Sequence, residues 1–225
     1  MEYRIKGEYS PFLEIKVDPG EEIIAETGKM SHMTDNVEME TSASGGLMSS
    51  MKRSLSGESF FVTRFSTEKG EGRINFAAEF PGDIIPLNLE EGKEVLAQED
   101  AFLCSESGNL DTEFTTSLAS GLLGGEGFKM TKVQGPGMAF LNAGGEVDEI
   151  KLQKGQKIKV DTGSVVAFNE GMDYNVERVK GVKNALFGGE GLFLTTLEGP
   201  GTVWIQSLPV QELALKVSQY IPTQG

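Results

Sequence analysis

An ordered set of short motifs occurs three times along this chain. Each copy opens on an apolar run closed by a glycine turn: Glu14-Ile15-Lys16-Val17-Asp18-Pro19-Gly20, then Pro86-Leu87-Asn88-Leu89-Glu90-Glu91-Gly92, then Glu149-Ile150-Lys151-Leu152-Gln153-Lys154-Gly155. Each later reaches a small-residue box: Gly57-Glu58-Ser59-Phe60-Phe61, Gly125-Glu126-Gly127-Phe128-Lys129, Gly189-Glu190-Gly191-Leu192-Phe193. A second turn follows: Gly70-Glu71-Gly72, Gly135-Pro136-Gly137, Gly199-Pro200-Gly201. The copies lie roughly 60–70 residues apart, longer than most solenoid repeats. An internal repeat constrains architecture far more than activity. This one predicts an all-β fold with pseudo-threefold symmetry.

The segments between the turns carry the period-2 alternation of half-buried strands. Lysines alternate with β-branched residues in Gln156-Lys157-Ile158-Lys159-Val160-Asp161; Asn75-Phe76-Ala77-Ala78-Glu79-Phe80 and Asp173-Tyr174-Asn175-Val176-Glu177 read the same way. Eight residues beyond the first glycine of each copy a second turn position falls, at Gly28, Asp100 and Gly163. An apolar pair follows in two copies, Phe102-Leu103 and Val165-Val166, whereas the first has Lys29-Met30. The copies run into one another without a linker. They are read as one domain over residues 1–225, with repeats at about 9–82, 83–146 and 147–208 and a tail at 209–225 that adds a strand, a helix or an arm.

Before each glycine box the strand pattern breaks. Leu47, Met48, Met51 and Leu55 lie at helical spacing in the first copy, Leu118, Leu122 and Leu123 in the second, and Val179, Val182 and Leu186, followed by Phe187, in the third. Threefold pseudosymmetry would bring these segments to one end of the molecule. Two readings stand: they plug the β-structure and complete its core, or they form an exposed apolar surface, which monomers rarely carry without a partner. The methionines and serines of the first segment suit an adaptable apolar surface.

The 34 acidic and 20 basic residues leave a formal charge of −14, which repels phosphate backbones and anionic headgroups. Free nucleic acid is therefore not an expected partner. With one histidine, His32, and one cysteine, Cys104, the chain has no zinc-type ligand set. Cys104 sits in the apolar run Ala101-Phe102-Leu103-Cys104, where a thiol behaves as a small hydrophobe. No Walker spacing, serine elbow or cofactor motif occurs, so no cofactor and no metal are expected. Neither a secretory apolar stretch at the start nor an apolar run of the ~20 residues that spans a bilayer is seen, and the expected location is cytoplasmic. Peripheral membrane contact stays open.

Glu58, Glu126 and Glu190 occupy one position of the repeat. They would salt-bridge turns, ring an axis, or bind a cation. Catalysis usually needs asymmetric environments that push two pKa values apart, which exact repetition opposes. A lectin-like reading has one match, Asp173-Tyr174-Asn175, which strand alternation already explains.

Taken together, the ordered motifs resemble the family named after a mitochondrial biogenesis protein, over about residues 3–208. The strongest markers are Gly124-Gly125-Glu126-Gly127-Phe128, Gly188-Gly189-Glu190-Gly191-Leu192, Gly135-Pro136-Gly137 and Gly199-Pro200-Gly201. The resemblance implies a fold of the tryptophan RNA-binding attenuator (TRAP-like) type, antiparallel sheets in a β-prism-like body. It does not imply RNA binding. Mitochondrial members are linked to the inner membrane; this chain has no Arg-rich transit segment, so that location does not carry over. No catalytic residues carry over either.

The expectation is a non-enzymatic binding or scaffold protein, using the apolar end for self-association or partner binding. The rival is an enzyme or small-ligand or cation binder with an acidic pocket.

Overall fold

The structure, a computed structural model, describes residues 1–43, 61–78, 80–106, 114–115, 130–178, 193–218 and 220–221. The strands of the first third are β1 (Glu2–Lys6), β2 (Phe12–Val17), β3 (Glu22–Glu26), β4 (Met30–Met33), β5 (Val37–Ala43), β6 (Phe61–Thr67) and β7 (Gly72–Ala77). Next come β8 (Gly82–Leu89), β9 (Glu94–Gln98), β10 (Phe102–Glu106), β11 (Phe114–Thr115), β12 (Met130–Gln134) and β13 (Gly137–Gly144). The last are β14 (Val147–Leu152), β15 (Lys157–Asp161), β16 (Val165–Asn169), β17 (Asp173–Arg178), β18 (Phe193–Glu198) and β19 (Gly201–Gln206), followed by the helix α1 (Val210–Ser218). Among the described residues the chain is all-β apart from α1 and two single 3₁₀ turns.

Leaving β1 aside, the strands fall into three sets of six, and one pairing rule governs each set. The first and third strands flank the sixth: β2-β7-β4, β8-β13-β10, β14-β19-β16. The second and fourth flank the fifth: β3-β6-β5, β9-β12-β11, β15-β18-β17. The second strand of one set then pairs antiparallel with the third strand of the next, β3 with β10 and β9 with β16. Even irregularities recur. The third strand carries a register shift at the same place each time, between Met30 and His32, Phe102 and Cys104, and Val165 and Ala167. Gly20, Gly92 and Gly155, which end the opening motif, take φ of 92°, 72° and 80°, where a side chain would be strained.

Contacts gather into two compact units, Met1–Lys93 with Phe102–Thr112 and Val133–Asn142, and Glu94–Ala101 with Glu113–Lys132 and Ala143–Gly225. The middle set is thus divided: β8, β10 and most of β13 go to the first unit, β9, β11 and most of β12 to the second.

The first unit contains a four-stranded sheet, β1-β2-β7-β4, and a six-stranded one, β5-β6-β3-β10-β13-β8. Alternation along β2 buries Leu13, Ile15 and Val17 completely, against Phe65, Ile74, Phe76, Leu103, Cys104 and Phe140. Each fully buried large side chain contributes about 1.5–3 kcal/mol. Phe65 and Phe76 meet edge to face at 5.5 Å. The run from Asn75 departs from the predicted alternation: β7 ends at Ala77, and Asn75 is buried alongside Ile74 and Phe76. As the central strand between β2 and β4, β7 aligns Asn75 between Glu14 and His32.

The second unit holds a three-stranded sheet, β15-β18-β17, and a six-stranded one, β11-β12-β9-β16-β19-β14. Its core gathers Leu96, Met130, Leu152, Val165, Phe168, Leu197 and Val203. Gln206 ties this unit internally, accepting from Gly144 N–H at 2.8 Å and donating to Gly163 O at 2.9 Å. The tail forms α1, anchored by Leu213 N–H on Pro209 O at 3.1 Å. No helix among the described residues is long and apolar enough to cross a membrane.

Candidate functional site

The residues assigned to the apolar surface and to the acidic cluster lie outside the described residues: Leu47, Met48, Met51 and Leu55; Leu118, Leu122 and Leu123; Leu186 and Phe187; and Glu58, Glu126 and Glu190. What the structure does place is their attachment. Each segment joins the fourth strand of its set to the fifth, and those strands form an antiparallel hairpin. The pairs nearest the three segments are Ala43 with Phe61, Thr115 with Met130, and Arg178 with Phe193. A buried threonine recurs in each fifth strand, Thr63, Thr131 and Thr195. Thr63 Oγ1 lies 3.2 Å from both Thr27 Oγ1 and Thr41 Oγ1, and Thr195 Oγ1 lies 3.0 Å from Thr162 Oγ1. Among the described residues Thr131 Oγ1 has no such partner; the residue at the place of Thr27 and Thr162 is Glu99.

A concavity of about 610 Å³ opens in the first unit, lined by Met1, Gly20, Glu21, Glu22, Ile23, Glu106 and Pro136. Its carboxylates are already engaged. Glu106 Oε1 lies 3.5 Å from the amino group of Met1, and its Oε2 accepts from Met138 N–H at 2.7 Å. Glu22 Oε1 meets Arg64 Nη1 at 2.6 Å, and Glu21 Oε2 accepts from Asp18 N–H at 2.9 Å. Sequence reasoning missed these residues, because Glu21 and Glu106 come together only through the pairing of β3 with β10.

The remaining titratable candidates, Cys104, His32 and Tyr174, lie within the described residues. Cys104 is fully buried, and burial pushes its thiol pKa well above the ordinary range, away from the thiolate form. His32 is exposed on β4, with Nδ1 3.3 Å from Ser31 Oγ and its ring edge-on to Phe12 at 6.1 Å. Tyr174, the aromatic of the lectin-like motif, packs on Phe168 at 5.2 Å, and partial burial raises its phenol pKa. Among the described residues no group of three or more His, Cys, Asp or Glu side chains is arranged to hold a metal ion.

One face of the four-stranded sheet carries an ion-pair network. Glu14 is held below the usual carboxylate range, chiefly by its hydrogen bond from Lys6 and then by the charges of Lys6 and Arg73, against the cost of desolvation. Glu71 is lowered chiefly by Lys16, 3.2 Å away, with help from Arg73 at 2.6 Å. Lys16 is raised in turn, first by Glu71 and then by Asp18. In the second unit Lys157 is raised by its hydrogen bond to Glu198, at 2.7 Å.

Two strands end their sheets where the repeat rule would supply a neighbour. β4 is a third strand and β15 a second strand, and among the described residues each stands last in its sheet. Ser31 and His32 of β4 and Lys157 and Lys159 of β15 are exposed, whereas the corresponding strands β10, β16, β3 and β9 are buried along most of their length.

Comparison with known proteins adds the lineage. The family described as Mitochondrial biogenesis AIM24 matches residues 3–208. An uncharacterized protein of Streptococcus pyogenes serotype M6 is 31% identical over 224 residues, covering 96% of this chain and 88% of that protein. The X-ray crystal structure of a Streptococcus pyogenes protein, solved as a structural genomics target, superposes with a TM-score of 0.79 at 28% identity, covering 98% of this chain and 99% of that one.

Proposed function

The chain belongs to the mitochondrial biogenesis AIM24 family, and from that premise we propose a non-enzymatic binding or scaffold protein whose apolar fourth-to-fifth-strand segments serve self-association or partner binding. One observation carries this reading. A single pairing rule, executed three times, attaches an apolar segment to the same hairpin of each set. Threefold presentation of one apolar motif suits multipoint binding, in which linked contacts raise avidity without any new kind of contact. The same reading takes residues 9–82, 83–146 and 147–208 as copies within one domain, a TRAP-like, β-prism-like body with pseudo-threefold symmetry. It places the protein in the cytoplasm as a homo-oligomer or with a protein partner.

The test is solution mass by light scattering for the wild type and for a Leu47→Asp, Leu122→Asp, Leu186→Asp variant. The expected result is an oligomer that falls to the 24.3 kDa chain with an unchanged far-ultraviolet spectrum. A folded variant with wild-type mass and wild-type partner binding overturns the reading, and an unfolded one assigns the segments to the core.

The rival, an enzyme or small-ligand or cation binder, draws on the glutamate-lined concavity in the first unit. Its carboxylates are occupied by internal partners, so a cation would first displace an ion pair or hydrogen bond. Spermidine that raises the melting temperature of the wild type but not of Glu106→Gln would favour it.

A further inference from the structure

We propose that two copies of this chain pair antiparallel through their β14 edges, about a two-fold axis that sets Ile150 opposite its own counterpart. The first strands of the three sets meet their outer side in three ways. β2 and β14 share one sequence, Glu14-Ile15-Lys16 and Glu149-Ile150-Lys151. The edge of β2 is covered by β1, which stands outside the three sets. Glu2 faces Lys16, Tyr3 faces Ile15 and Arg4 faces Glu14, an acid–apolar–base strand laid on base–apolar–acid. Lys16 Nζ lies 3.6 Å from Glu2 Oε2, Lys6 bonds Glu14, and Ile15 is fully buried. β8 has Pro86 in the place of the glutamate, and proline withholds an N–H from any added strand. β14 has neither device. Among the described residues it stands last in its sheet, Ile150 is only half-buried, and Glu149 and Lys151 are exposed.

A second copy supplies the missing cover. Read antiparallel, its Glu149-Ile150-Lys151 meets Lys151-Ile150-Glu149 in the acid–apolar–base order that β1 presents to β2. Charge fixes the register. A slide of one residue turns the buried face outward. A slide of two sets Glu149 on Glu149 or Lys151 on Lys151, and like charges directly opposite destabilise a pair. The register centred on Ile150 gives two Glu149–Lys151 pairs instead. Within one chain Glu149 and Lys151 already meet at 3.2 Å, and Trp204 Nε1 donates to Glu149 Oε2 at 3.3 Å. An exposed ion pair of this kind contributes little, so exchanging it across the axis meets little resistance. An inward-pointing charge blunts an edge, and Asp148 is one, in the place of the fully buried Leu13. It falls at the end of the paired stretch, opposite Leu152, so the three central residues carry the contact. The same patch serves both copies, so the contact is isologous and closes as a dimer. This surface is distinct from the apolar segments of the proposed function.

The experiment oxidises Ile150→Cys chains and measures the disulfide-linked dimer. Asp148→Cys, at a more exposed position, is the control, and the buried Cys104 stays in all chains. Directly facing antiparallel residues lie within disulfide reach in both narrow and wide pairs, whereas Asp148 faces Leu152. Chance collision favours the control. The expected result is an Ile150→Cys dimer exceeding it at least about fivefold. Adding Glu149→Lys or Lys151→Glu to Ile150→Cys should cut the dimer about fivefold through like-charge opposition, and an equal mixture of the two should restore it as a dimer holding both chains. Light scattering reads the same charge swap without the cysteine: each reversal lowers the mass below that of the wild type, and the mixture recovers it. A folded Ile150→Cys chain that gives no more dimer than the control, or a mixture that gives no more than either reversal alone, overturns the proposal. So does a cysteine-bearing synthetic copy of residues 2–6 that joins Ile150→Cys chains when those chains do not join each other, which assigns the edge to a foreign strand. None of these substitutions touches Leu47, Leu122 or Leu186, so failure here is distinguishable from failure of the apolar-segment reading.

Discussion

The inner seam strands and the edge strands occupy the same places in the repeat but have opposite surroundings. At one position of the third strand stand Cys104 and Ala167, both fully buried, and the exposed His32. At one position of the second strand stand Ile24 and Leu96, both buried, and the exposed Lys159. The backbone pairing rule is common to them, and the third strands share its bulge, while side-chain polarity follows whether the strand has a partner on that side among the described residues. The pairing pattern is therefore a property of the repeat, and the burial is a property of its context.

The sharpest way to break this comparison is to place one charge at all three equivalent positions. Cys104→Asp and Ala167→Asp should each cost about 3 kcal/mol or more, because an unpaired carboxylate would be buried. His32→Asp should cost less than about 1 kcal/mol, as a substitution on an exposed strand. Urea denaturation of the three variants decides it, and equal losses would refute the distinction between seam and edge.

Next in size are the second turns. A Cβ on Gly135 would lie 2.2 Å from Glu90 O, and one on Gly199 would lie 2.5 Å from Gln153 O, whereas Gly70 has open space around it and a φ of 71°. Gly135→Ala and Gly199→Ala should lose about 2–3 kcal/mol through forced backbone shifts, and Gly70→Ala about 1 kcal/mol from conformation alone. Thermal melts that rank them otherwise would show that the three turns are not held in different ways.

The first set closes its turn with a side chain instead. Asn36 Nδ2 donates to Lys69 O at 2.9 Å and Glu71 O at 3.0 Å, while its Oδ1 accepts from Thr34 Oγ1 at 2.7 Å. Asn36→Ala should cost about 1–2 kcal/mol by leaving these groups unpaired. An unchanged denaturation midpoint would remove Asn36 as the clip.

The smallest effect is electrostatic. Glu14 and Glu71 are depressed below 4.5 in the folded chain, so the stability they add is present above that value and is lost as pH falls through their folded pKa values. The melting temperature should therefore fall with acidification below about pH 4.5, and fall less steeply in Glu14→Gln and in high salt. An identical slope in Glu14→Gln would rule out that carboxylate as a contributor.

Much of the fold was legible because it is written in local chemistry. Alternation marks strands such as β15 and β17, positive-φ glycines mark Gly20, Gly92 and Gly155, and an apolar run marks Cys104 as core. The candidate site was far less legible. The residues favoured for it, from Leu47 to Phe187, lie outside the described residues. The concavity with Glu21, Glu22 and Glu106 joins positions more than eighty residues apart, and no local pattern announces it.

The sequence by itself determined that the chain is all-β, that its motifs come in three copies, and where its turns fall, because period-2 polarity and glycine backbone freedom act within a few residues. Only the tertiary structure decided which strands of neighbouring copies share a sheet, how the middle copy is divided between two units, and that β4 and β15 stand at sheet ends among the described residues. Strand pairing depends on backbone groups, and those are alike in every residue except proline; which partner a strand takes is settled by long-range packing.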